Sequence, residues 1–338
     1  EKLKLLVLEN GKIINLMKFK ILPIVEDASF RKFYRLILNK KSKIIVFSRK
    51  EKYKNLIAYT AINKFLRKNK VLAPKLLAHN YPKGIIVIED FGDISFHKVL
   101  LRQKKKLITY KKLVDLLLKI QKIKPRLRIK NIIGKSHAVN KYSNKYLHKE
   151  SDLFFDWYLP LFLNKKKVLD IKKKTKKILS LLYSSLNFPN SYFVHRDYHV
   201  QNLMKVGTKI GVIDSQDALI GNPAYDLVSL IDDVRIKTSK KLKNQIYSYY
   251  LKKTSKAHRI NSKKFSEDFN TLSVQRSLKI IGIFSRLFKR DKKNKYLKLI
   301  PYTWKLLEMR MDSEIFSKLK EILDKNINKK IRKKIIYK

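Results

Sequence analysis

Residues Tyr192 to Asp233 read YFVHRDYHVQNLMKVGTKIGVIDSQDALIGNPAYDLVSLIDD, and no other stretch restricts the chain as strongly. A short apolar strand, Tyr192 to Val194, runs into His195-Arg196-Asp197-Tyr198-His199-Val200-Gln201-Asn202. A second strand, Ile210 to Ile213, ends at Asp214. The pattern is H-x-D-x-x-x-x-N, then a hairpin, then an Asp at a strand end. Taken singly, each polar residue here is an ordinary turn former. Turn formation alone does not ask for a strand leading in, this Asp-to-Asn spacing and a second strand closing on Asp.

Transfer of a phosphoryl group from a nucleoside triphosphate does ask for that set. One carboxylate accepts the proton of the attacking hydroxyl, while an amide and a second carboxylate hold Mg²⁺ on the phosphates. Asp197 is then the base, with Asn202 and Asp214 as oxygen ligands for a hard cation that keeps some of its own waters.

Further cues run through most of the chain in a fixed order. They are Asp27-Ala28-Ser29-Phe30-Arg31, Glu89-Asp90-Phe91-Gly92-Asp93, Gly221-Asn222-Pro223-Ala224-Tyr225-Asp226, and Gln275 to Leu287 with Arg276, Lys279, Gly282 and Arg286. With the Tyr192–Asp233 core, they make the chain resemble the aminoglycoside phosphotransferase and choline kinase-like family. Within it, the cues are most similar to the bacterial kinases of the anomeric hydroxyl of N-acetylmuramate and N-acetylglucosamine.

The resemblance implies an α+β, protein kinase-like fold of two lobes. Residues 1–93 would form a nucleotide-binding lobe around a small antiparallel sheet. Residues 94–338 would form a mostly helical catalytic and substrate-binding lobe. It implies ATP and Mg²⁺ as cofactors, a small sugar as substrate and a sugar 1-phosphate for cell-wall recycling as product. Ser29 and Arg31, in the loop before a strand at Phe33 to Leu38, would donate to phosphate oxygens. The strand Ile85 to Ile88 would end at the hinge, with Glu89 beside the adenine. His195 would orient the catalytic loop, and Asp226 would tie the helix Ala224 to Asp233 to it. Asp217 is either a second carboxylate for metal or substrate, or a solvent-facing cap.

Two departures stand out. A protein kinase carries a phosphate-binding Lys on its third strand, paired with a Glu on the next helix. The expected third strand, Lys43 to Phe47, is followed by Ser48-Arg49-Lys50-Glu51, and the helix expected over Tyr53 to Lys68 contains no Glu. Ser215 stands where the family usually has an aromatic residue, a loss of bulk that would loosen the metal site. These departures motivate a pseudokinase as an alternative, beside a kinase of another small molecule such as an amino alcohol or aminoglycoside. Retention of Asp197, Asn202 and Asp214 together favours an active enzyme.

Elsewhere the apolar spacing predicts a short helix over Lys2 to Lys18 and a helix over Phe96 to Ile123. It also predicts one opening at Asp152 and one over Lys165 to Leu186. Asp156 and Trp157 are candidates for a sugar pocket, although burial of Phe155 and Trp157 explains the pattern as well.

Composition sets outer limits. The 338 residues are 44% hydrophobic, enough for a large core, and none is Cys, which excludes disulfides, thiolate metal sites and cysteine nucleophiles. The net charge of +53 invites a nucleic-acid reading. Yet the lysines are spread through every segment, among the Ile, Asn, Tyr and Phe that AT-rich codons encode. Coding bias therefore explains the charge without a dedicated polyanion site, and a catalytically silent nucleic-acid-binding protein that uses the basic surface is a further alternative. No apolar run has the length of a membrane span, and Leu3 to Leu8 is too short for a signal-peptide core. The chain opens on Glu1 rather than Met, which leaves its true start open. A cytoplasmic monomer with no specific nucleic-acid partner is expected.

Overall fold

Alternation along the second and third strands explains how the N-terminal sheet buries two faces. In the computed structural model, β1 (Phe19–Ile24), β2 (Lys32–Leu38), β3 (Lys41–Phe47), β4 (Leu76–Asn80) and β5 (Ile85–Glu89) form an antiparallel sheet in the order β1-β2-β3-β5-β4. Ile44 and Val46 of β3 and Ile86 and Ile88 of β5 face Leu56 and Tyr59 of α1 (Tyr53–Lys68). Ile45 and Val87 point the other way, onto Leu36. A period of two puts each set on its own face. The structure describes residues 8–9, 12–13, 19–24, 30–38, 41–49, 53–130, 133–134, 136–258 and 261–334. Of the helix expected over Lys2 to Lys18, the described residues Leu8–Glu9 and Lys12–Ile13 instead pair as short antiparallel strands.

By internal contacts the chain divides into two units. The first takes the described residues of Glu1–Arg102, Arg126–Val139 and Val200–Ala218. Besides the sheet and α1 it holds α2 (Phe96–Arg102) and a hairpin of β7 (Leu203–Val206) and β8 (Lys209–Val212). Gly207, with φ 57, stands at the first central position of the hairpin turn, where a glycine tolerates the left-handed region. Backbone bonds fasten the hairpin inside this unit: Val212 N–H to Leu72 at 2.8 Å and Lys205 N–H to Ile94 at 2.8 Å.

The second unit takes Gln103–Pro125, Asn140–His199 and Leu219–Lys338. It contains α3 (Leu107–Gln121), α4 (Asn144–Leu153), α5 (Lys165–Ser184), the strand pair β6 (Tyr192–Val194) and β9 (Leu219–Gly221), and α6 (Ala224–Ile231). The chain continues as α7 (Lys240–His258), α8 (Ser262–Asp291), α9 (Ile300–Arg310) and α10 (Ser317–Asn326). Helix α8 is the axis of this unit and carries buried side chains from Phe265 to Leu287. Gly282 is what lets it close on α4: a Cβ there would sit 2.3 Å from the Leu153 carbonyl carbon.

The single helix expected over Phe96 to Ile123 is two, α2 and α3, separated at Gln103–Lys106. The Gln103 side chain there accepts from Thr109 Oγ1 at 2.7 Å and so bonds into the first turn of α3. After α4 the chain makes one wide turn, Phe154–Tyr158, which buries Phe154, Phe155 and Tyr158. Asp156 points outward to Lys172 Nζ at 2.6 Å.

Candidate active site

In the first unit, the hairpin brings the proposed metal ligands to one end. Leu203 is paired with Val212, and one step further Ile213 N–H donates to the Asn202 carbonyl at 3.0 Å. Asn202 therefore precedes β7 where Asp214 follows β8. Asp214 has φ 65, in the left-handed region that non-glycine residues avoid. Its carboxylate is 36% exposed, so a ligand can reach it.

Arg31, nearly fully buried, ion-pairs with the Asp214 carboxylate through Nη2 and donates from Nη1 to Gln216 Oε1 at 3.0 Å. Its guanidinium lies 5.5 Å from the Phe33 ring centroid and 5.7 Å from that of Tyr59, within cation–π range. Gln216 Nε2 in turn donates to Asp217 Oδ2 at 2.8 Å, on the exposed side. Ser215 is fully buried, and its hydroxyl donates to Asn63 Oδ1 at 2.6 Å. That hydrogen bond stands beside Asp214, where the loss of an aromatic side chain is expected to loosen the site.

Glu89 ends β5 with its carboxylate half-exposed, accepting from Arg67 Nη1 and the Lys75 N–H, both at 3.2 Å. The segment after it is clamped by Arg35, which donates to Asp90 and to Asp93; that pairing lowers the Asp93 pKa. Ser29 and Lys50 lie outside the described residues, and Arg49 is exposed.

In the second unit, β6 feeds the His195-Arg196-Asp197 turn. Asp226, in the first turn of α6 and buried, accepts from the His195 N–H at 2.7 Å and the Arg196 N–H at 2.9 Å. Arg196 has φ 76, so this carboxylate holds a backbone that would otherwise relax. Burial pushes the Asp226 pKa up to about 7, against the two N–H donors that favour its anion. The buried His195 ring meets Tyr198 edge-on at 6.2 Å, and Tyr198 is itself tied to the Leu113 carbonyl at 2.8 Å. Burial works to raise the Asp197 carboxyl, but Lys279, Arg196 and Arg276 outweigh it and hold its pKa below the usual range. Asp197 is therefore an anion at neutral pH.

Two of those cations, Arg196 and Lys279, are held by Glu150 of α4, a residue that sequence reasoning missed. Its Oε1 accepts from Arg196 Nε at 3.0 Å and from Lys279 Nζ at 2.9 Å. Its Oε2 accepts from Gln275 Nε2 at 3.1 Å and from the Tyr142 hydroxyl. Burial opposes its charge, yet Lys279 and Arg196 bring its pKa down to about 2. Glu150 lies in no motif; the signal that existed was on its partners, since Gln275 and Lys279 stand in the Gln275–Leu287 block.

The donor chemistry suits Mg²⁺. One carboxylate and one amide carbonyl, with other positions left to water and phosphate oxygens, is what this cation accepts. Among the described residues there is no group of three or more His, Cys, Asp or Glu that would make an all-protein cage.

A family profile described as "Phosphotransferase enzyme family" matches residues 20–259. The chain is 30% identical over 293 residues to a protein of Pseudomonas aeruginosa named N-acetylmuramate/N-acetylglucosamine kinase, covering 86% of this chain and 83% of that one. Among solved structures it is similar to the choline kinase LicA from Streptococcus pneumoniae, with a TM-score of 0.59 at 13% identity over 87% of this chain and 95% of that one. It is also similar to the ADP-bound aminoglycoside phosphotransferase APH(2'')-Ib, with a TM-score of 0.56 at 14% identity over 87% and 93%. These two likenesses are of fold, a small antiparallel sheet followed by a mostly helical chain.

Proposed function

The chain belongs to the phosphotransferase enzyme family, and on that premise we propose that it is an ATP-dependent amino-sugar kinase. The γ-phosphoryl group of ATP passes to the anomeric hydroxyl of N-acetylmuramate or N-acetylglucosamine, giving ADP and the sugar 1-phosphate. The observation that carries the sugar assignment is the 30% identity, across 86% of the chain, to the Pseudomonas relative of that name. The product fits cell-wall recycling in the cytoplasm, by a monomer. Residues 1–93 serve the nucleotide and 94–338 the sugar and the chemistry.

In this reading Asp197 accepts the hydrogen bond of the anomeric hydroxyl and takes its proton as the new P–O bond forms. A carboxylate held below the usual pKa range is a weak base. It suits a loose transition state, in which the proton leaves late and orientation of the nucleophile comes first. Asn202 and Asp214 hold Mg²⁺, which supplies the charge that neutralises the phosphates when bound. Arg31, the buried cation at Asp214, is the phosphate-directed cation in this reading. Asp226 keeps the His195–Arg196 backbone set, with His195 packed behind it and Asp217 on the outer side of Gln216. Glu89 contributes at the hinge through its backbone, where side-chain identity matters little.

The test is ATP turnover with N-acetylmuramate, N-acetylglucosamine, glucose, choline and an aminoglycoside. Turnover on the two amino sugars is expected, falling about a hundred- to ten-thousand-fold in Asp197→Ala. Near-full turnover in that variant would remove Asp197 from the role of base.

A further inference from the structure

Helix α1 carries no Glu, so the ion pair by which a protein kinase helix reaches the phosphate site has no counterpart on it. It carries Asn63 instead. The amide is buried and its orientation is fixed, because Nδ2 donates to the Pro74 carbonyl at 3.3 Å and leaves Oδ1 for the Ser215 hydroxyl at 2.6 Å. The Tyr59 hydroxyl, whose pKa burial pushes up to about 12, engages the same Asn63 side chain one turn earlier. Asp214 is therefore pinned on both flanks. Ile213 is held by the Asn202 carbonyl and Ser215 by Asn63. A left-handed backbone at a non-glycine residue persists only where its surroundings over-determine it, and these two bonds do so.

We propose that Asn63 is a positioning residue for the Asp214 carboxylate, acting through the Ser215 hydroxyl. The proposal rests on the reading of Asp214 as a Mg²⁺ ligand. In its terms, Ser215 is the chain's substitute for an aromatic packing residue. A hydrogen bond to α1 replaces ring burial, and a phenylalanine there would have no hydroxyl to offer Asn63. Second-layer bonds of this kind hold a metal ligand at its productive angle, and their loss typically costs about 10- to 100-fold in metal affinity.

The experiment uses the full chain with Asn63→Ala, Ser215→Ala, the double variant and Asp214→Asn. ADP binding is measured by calorimetry without metal and across a Mg²⁺ titration, beside the thermal midpoint of each protein. Asn63→Ala and Ser215→Ala are each expected to raise the half-saturating Mg²⁺ concentration about tenfold, with metal-free ADP binding unchanged. The double variant is expected to be no worse than Asn63→Ala alone, which already removes the Ser215 bond along with those to Pro74 and Tyr59. Additive effects, or a lowered thermal midpoint with unchanged Mg²⁺ dependence, would overturn the proposal. If Asn63→Ala does not fold, Ser215→Ala removes one small hydroxyl and reads the same bond from its other end. Asp214→Asn separates the two failures. If it raises the Mg²⁺ requirement while the other variants do not, only the role of Asn63 falls; if it has no effect, the metal-ligand reading falls and this proposal with it.

Discussion

Arg196 and Asp214 both hold positive φ, 76 and 65, a conformation that costs a non-glycine residue about 1–3 kcal/mol. Each flanks or supplies a group to which we assign catalysis, and each is held by a neighbour's hydrogen bonds. For Arg196 the holder is Asp226, whose two oxygens each accept one backbone N–H. An Asn at this position offers only one acceptor oxygen, so one N–H loses its partner and the turn can relax. Asp226→Asn is expected to lower kcat about a hundredfold, the size of effect that a misplaced reacting group produces, with little change in KM for the sugar. Steady-state kinetics checks this, and a wild-type kcat would contradict it. Asp197, Asn202, Asp214 and Asp226 were legible because they lie on one short stretch whose spacing encodes a turn, a hairpin and a helix start. Arg31 was legible as a basic loop residue but not as the partner of Asp214, since chain distance carries no information about that pairing.

Among the elements, α4 and α8 meet through a buried charge pair. Glu150 on α4 binds Lys279 on α8, while Asp232, just after α6, binds Lys243 of α7 and Arg310 of α9. Burial alone would raise both carboxyls, but the surrounding cations bring each down to about 2, from 4.5 and 3.8. Their folded values lie below the unfolded ones, so the stability they contribute is present above about pH 4.5 and is lost as pH falls toward 2. Stability is expected to drop by a few kcal/mol across that window, and Glu150→Gln should flatten the drop. Denaturant titrations at a series of pH values measure it, and identical profiles for variant and parent would contradict the assignment. Helix α1 was read with its observed bounds because its apolar period is unbroken. The split between α2 and α3 was missed because the same stripe runs on either side of it; a side-chain bond from Gln103 to the start of α3 has no periodic signature.

At the scale of the molecule, the sorting of residues 126–139 and 200–218 with the N-terminal sheet follows from pairings distant in sequence, which local periodicity cannot supply. The charge of +53 says little about chemistry. The cations that matter for the site reading are a few buried ones, Arg31, Arg276 and Lys279, each facing a carboxylate. No helix among the described residues is long and apolar enough to cross a membrane. The central claim is that the chain phosphorylates an amino sugar at its anomeric oxygen, and ³¹P NMR of a reaction of purified protein, ATP, Mg²⁺ and N-acetylmuramate tests it most directly. The account predicts ADP and a new phosphomonoester coupled to the anomeric proton. A phosphate on another hydroxyl, or ATP left intact with this sugar while another acceptor is consumed, would contradict it.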